Sequence, residues 1–79
     1  MAILIKPDGS EEKLQFTTLP YLQKAVCGYI ECVKIEDGRF VVFNEDYLVK
    51  NLPINQKATD ICSFEVFGNA VICTKEELN

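Results

Sequence analysis

Apolar and polar positions change period several times along this chain, and each change predicts an element. Ala2–Ile5 is an apolar run, and Glu11–Phe16 alternates, with Leu14 and Phe16 pointing one way and Lys13 and Gln15 the other. Pro7-Asp8-Gly9-Ser10 between them predicts a hairpin, because proline presets the φ of a turn and glycine accepts a positive one. From Leu19 the period lengthens: Leu19, Leu22 and Val26 follow the i, i+3, i+7 rule of one helical face. Thr17-Thr18-Leu19-Pro20 marks the helix start, with a threonine to cap it and proline in the first turn, and Gly28 marks its end.

Tyr29 to Ile35 returns to a period of two. Tyr29, Glu31, Val33 and Ile35 share one face, and Ile30, Cys32 and Lys34 the other. Phe40–Phe43 is apolar on both faces, which predicts a strand inside a sheet or at a subunit contact. Asp37-Gly38 between these runs signals a second hairpin. Past Asn44-Glu45-Asp46, Tyr47–Lys50 suits a helical turn or a short strand, broken by Asn51-Leu52-Pro53. Asn55 is placed to cap a brief helix over Lys57–Cys62, with Asp60 near its positive end. Phe64–Phe67 and Ala70–Cys73 predict a last strand pair joined by Gly68-Asn69, and Thr74-x-x-Glu77 matches a capping box. The expected fold is a single α+β domain over residues 1–79. It is an antiparallel sheet of about six short strands with two short helices, in the order β-β-α-β-β-α-β-β.

Length and charge narrow the function. A chain of 79 residues hides only about 60–65% of the surface its unfolded form exposes. With 48% apolar residues, part of that surface is expected to meet another subunit, so a homo-oligomer is predicted. Eight basic residues against twelve acidic ones give a net charge of −4. The basic ones are scattered singly, so duplex nucleic acid is not an expected partner. No apolar run approaches a membrane span, and Ala2–Ile5 is too short for a secretory segment, so a soluble cytoplasmic protein is expected. Cys27, Cys32, Cys62 and Cys73 lack the paired short spacing of a zinc site and are expected as reduced, buried thiols.

The chain has no histidine, so no Ser–His or Cys–His pair can form within it. Ser10 sits in a turn, Ser63 lacks a nucleophile-elbow context, and the four glycines make no phosphate-binding loop. No catalytic residue, metal or cofactor is therefore expected. Several polar and aromatic groups still ask for a role. Glu31 shares a strand face with apolar residues, where a carboxylate would have a raised pKa, although an edge-of-sheet glutamate paired with a lysine or solvated is the commoner case. Asn55 and Thr59 share a face at a helix start, where an anion or a plain cap would suit them. Tyr29 and Tyr47 stand beside breaks, as rings for base stacking or for the core. Asn44 and Arg39 complete the candidate ligand-binding set.

The combination Gly28-Tyr29-Ile30-Glu31, Asn44-Glu45, Leu52-Pro53-x-Asn55-x-x-Ala58-Thr59 and Gly68 before an apolar strand resembles a known family. It is a domain-of-unknown-function family of small proteins encoded by phages, plasmids and conjugative elements, and the opening Ile5-Lys6-Pro7-Asp8-Gly9 is similar too. The resemblance implies a mobile-element setting and no particular activity. Small phage proteins of this kind often counter host defence, by blocking a host protein or sequestering a nucleotide immune signal.

Three readings compete. The first is a non-enzymatic, oligomeric sponge for a nucleotide-derived small molecule. Its bases would stack on Tyr29 or Tyr47, and Glu31, Asn44, Asn55, Thr59 and Arg39 or Lys57 would meet its polar groups. The second is an acidic inhibitor that binds a host protein through Glu31, Glu36, Asp37, Glu45 and Asp46. The third, a carboxylate-and-metal hydrolase at Glu45-Asp46, has the least support in the spacing.

Overall fold

The computed structural model describes residues 2–78. Strands β1 (Ala2–Ile5) and β2 (Glu11–Leu14) form one hairpin, and β3 (Ile30–Lys34) and β4 (Phe40–Asn44) another. Helix α1 (Leu19–Val26) links them, and α2 (Gln56–Cys62) precedes β5 (Ala70–Cys73) and a 3-10 turn at Lys75–Leu78. The five strands make one antiparallel sheet in the order β2-β1-β5-β4-β3. The α+β fold is as expected, with five strands among the described residues where about six were expected.

The two hairpins close by the same local chemistry. Lys6 N–H donates to Ser10 O at 3.0 Å and Ile35 N–H to Arg39 O at 2.9 Å. Gly9 and Gly38 take φ values of 90° and 91°, open to glycine at little cost. In each turn the aspartate before the glycine accepts from the backbone N–H two residues on: Asp8 from Ser10 at 2.8 Å, Asp37 from Arg39 at 3.0 Å. Hydrogen bonds from the Ser10 side chain and then its N–H to Asp8, and from the Arg39 guanidinium and then its N–H to Asp37, hold both carboxyls below the usual aspartate range.

β5 unites the hairpins. Its four residues are all buried, between β1 and β4. Side chains alternate onto two covered faces, so the strand is apolar throughout. One face carries Ile5, Val41, Phe43, Ala70 and Ile72 under Ala58 and Cys62 of α2. The other carries Ala2, Leu4, Val42, Val71 and Cys73 under Leu22 and Val26 of α1. The sheet is thus the middle of three layers. Val41 and Val42 are successive and both fully buried, each burial being worth about 2 kcal/mol.

Several local expectations are corrected. Phe64–Phe67 is not a strand; Phe67 makes only an isolated bridge to Ile54. Its neighbours' polar groups are captured elsewhere: Val66 O accepts from Asn55 N–H at 2.7 Å, and Val66 N–H donates to Thr59 Oγ1 at 2.9 Å. The left-handed residue after α1 is Cys27, with φ 64°, and not Gly28. At the other end of α1, Thr18 has the extended backbone of a cap, but its side chain makes no capping bond, and Leu19 is exposed. Asp60, finally, accepts from Gln56 at 2.8 Å along the helix flank instead of facing the first-turn N–H groups.

The cysteines also divide. Cys62 and Cys73 are buried, but Cys27 and Cys32 are exposed, and all four are free. Cys27 leaves the core because it occupies the turn after α1, and Cys32 because β3 is an edge strand. Among the described residues no helix is long and apolar enough to cross a membrane.

Candidate functional site

Asn44 ends β4 with its side chain wholly buried. The strand's alternation turns it toward α1, where its Nδ2 donates to Val26 O at 3.1 Å and Cys27 O at 3.3 Å. Its Oδ1 accepts from Asp46 N–H at 2.8 Å. One amide thus satisfies the last carbonyls of a helix and the first N–H of the next turn. Lys50 reinforces the junction, donating from Nζ to Cys27 O at 3.2 Å.

Asn55 repeats the device on the opposite side of the sheet. It is also fully buried. Its Oδ1 accepts from Ala58 N–H at 3.1 Å, the cap bond the sequence predicts, while Nδ2 donates to Ile5 O and Gly68 O, both at 2.8 Å. Thr59 is half-buried, and its Oγ1 takes the Val66 N–H. Asn44, Asn55 and Thr59 are therefore committed within the fold, and both N–H donors of each amide are used on backbone carbonyls.

The other candidate residues lie apart. Tyr47 stacks on Phe67 at 5.3 Å and packs edge-on to Phe43 at 5.8 Å, an extension of the core. Arg39 sits at the β3–β4 turn, bound to Asp37 through Nε at 2.8 Å and Nη2 at 2.6 Å. Tyr29 lies just before β3, at the opposite end of the hairpin, about 20 Å away at the usual strand rise, with 66% of its surface exposed. Glu31 is exposed on the same edge strand, opposite Phe43. The seven residues named from sequence do not line one pocket. The Asn44–Asp46 turn carries no cation cage either: among the described residues no group of three or more Cys, Asp or Glu is placed to hold a metal.

What the structure does gather is a rim at the open end of the β3–β4 hairpin. Glu45 N–H donates to Tyr29 O at 3.0 Å, tying the tyrosine to the turn Glu45–Asn51. That turn closes through Lys50 N–H to Asp46 O and Leu52 N–H to Tyr47 O, with Asn51 at φ 53°. It presents Leu48 at 74% and Val49 at 88% exposure. Neither residue was singled out from sequence. The available signal was an apolar pair lying between polar residues in a segment too short to bury it.

Fold and side-chain geometry together define a small three-layer α+β domain clipped by two buried asparagines. The chain belongs to the family of a domain of unknown function, DUF3846, which matches residues 1–78. Neither a curated protein nor a solved structure matches it.

Proposed function

We propose that this protein acts by binding a partner protein stoichiometrically, through the rim of Tyr29, Leu48 and Val49. The observation that carries the reading is the exposure of Leu48 and Val49 on a turn anchored at both ends, by Asn44 and by Lys50. Apolar groups in water at a pinned position lose little conformational entropy on docking, which is how an interface centre gains affinity. Glu31 and Glu45 are exposed beside it and Asp46 half-buried, so a partner with basic residues around an apolar patch suits the rim. In the mobile-element setting that the family resemblance implies, the partner is a host protein and the effect inhibition.

The sponge reading has less support. Asn44, Asn55 and Thr59, its hydrogen-bonding groups, are occupied by backbone partners, and Tyr47 is packed between Phe43 and Phe67. The test is affinity capture from host lysate at low salt, run in parallel with Leu48→Ser/Val49→Ser. A protein retained by the native chain and lost by the variant, at unchanged thermal stability, is the expected result. Equal recovery by both defeats the reading. Calorimetric heat with a cyclic dinucleotide would restore the sponge.

A further inference from the structure

A concavity lies on the α1 side of the sheet, between the β1–β2 hairpin and the helix. Its volume is about 260 Å³, just under the usual range of small-molecule sites of about 300–1,000 Å³. Leu4, Leu14 and Ala25 give it apolar walls. Tyr21 adds a ring steadied by Phe16 at 5.1 Å. Two ammonium groups, Lys6 and Lys24, line the same space against a single carboxylate, Glu12. In a chain with net charge −4, this local surplus of positive charge runs against the average.

The two lysines differ. Lys6 holds Glu12 loosely at 3.9 Å. Lys24 is one turn along α1 from Tyr21, on the same flank, and among the described residues no carboxylate stands within ion-pair reach of it. Asn69 also lines the cleft; its Nδ2 is fixed by Ala25 O at 2.9 Å, and that bond orients its amide. A cationic group, apolar walls and an aromatic ring together suit an anionic head on a compact apolar or aromatic body. The volume suits a body of one ring and is too small to enclose a dinucleotide.

We infer that this cleft binds a small organic anion, an aryl or alkyl carboxylate or phosphate monoester, with Lys24 as its principal charge partner. The site is separate from the rim of Tyr29, Leu48 and Val49, and it does not depend on that rim having a partner.

The experiment is amide-resolved NMR titration of the whole protein with benzoate, phenyl phosphate and neutral benzamide. Saturable shifts at Leu4, Ala25 and Asn69 are expected with an anion and not with benzamide, and the better of the two anions identifies the head group. Lys24→Gln, an exposed change whose fold the spectrum itself verifies, should weaken binding about tenfold, the effect of one charge-assisted hydrogen bond. Glu12→Gln should tighten it by removing the competing carboxylate. Absence of saturation with both anions, equal response to benzamide, or unchanged affinity in Lys24→Gln each overturns the assignment.

Discussion

Gly28 and Asn44 are in such close contact that a methyl group on Gly28 would stand 2.7 Å from the Asn44 Nδ2. Glycine is required here for space and not for a left-handed backbone, since Cys27 supplies the positive φ. Lys50 Nζ is also near, at 2.8 Å, but it is the free end of a long side chain and can swing away. Asn44 cannot, because moving it breaks its bonds to Val26 O, Cys27 O and Asp46 N–H.

Gly28→Ala should therefore destabilise by about 1–3 kcal/mol, the usual cost of overpacking. Asn44→Ala should cost about 2–3 kcal/mol, by removing the side-chain partner of the Val26 carbonyl and of the Asp46 N–H, while Cys27 O keeps Lys50. In the double variant the clash is gone, so the combined loss should fall about 1 kcal/mol short of the sum. Urea unfolding of the four proteins measures the cycle; strict additivity would show that the two residues do not act on each other.

Asn55→Asp should be worse than Asn55→Ala. The acceptor for Ala58 N–H survives, but an anionic oxygen now faces the carbonyls of Ile5 and Gly68. Burial beside two carbonyls raises the folded-state pKa of such a carboxyl above its unfolded value. The destabilisation, about 3–5 kcal/mol at neutral pH, should then shrink as pH falls through that raised value, opposite to the trend of the native protein. Chemical denaturation at neutral and mildly acidic pH compares the two; parallel trends would refute the geometry.

Acid should loosen both hairpin turns together. Asp8 and Asp37 have folded pKa values lowered first by the side chains of Ser10 and Arg39 and then by the backbone N–H groups of the same residues. A lowered folded pKa means that the stabilisation is fully present above the ordinary carboxylate range and is lost as pH falls through the depressed values. The amide signals of Ser10 and Arg39 should titrate with midpoints below about 3.9. Asp8→Asn keeps the acceptor and should abolish the Ser10 transition alone. A midpoint at or above the ordinary value would contradict the turn geometry.

Thiol labelling should separate the cysteines into two classes. Cys27 is exposed and should react first. Cys32 should follow, its thiol raised by partial desolvation and by Glu31. Burial pushes the Cys73 thiol up to about 11 and raises that of Cys62. Because the thiolate is the reactive form, these two should label only on unfolding. Four equal rates in native buffer would mean that the sheet opens readily.

Both hairpins were legible in sequence because their information is local: an Asp-Gly pair between apolar runs fixes a turn without reference to the rest of the chain. Asn55 was legible as a cap for the same reason. The insertion of β5 between β1 and β4 was not, since nothing near Ala70 records which distant strand edges are free. Phe64–Phe67 has the composition of a strand, and its ladder is pre-empted by Asn55 and Thr59, whose hydrogen bonds depend on the packed helix. Asn44 and Asn55 were candidates as polar residues at breaks in the chain. Sequence shows such a position but not which way its polar atoms face, and here they face inward.

The seam strand has a kinetic consequence. Of the five strands β5 is the last synthesised, yet it alone joins the two halves of the sheet. On the ribosome each hairpin can form as it emerges, but the edges of β1 and β4 stay open until residues 70–73 arrive, so cotranslational folding should end in one late, cooperative closure. Until then the nascent chain exposes two unpaired strand edges, and this is the interval in which chaperones or aggregation would compete for it.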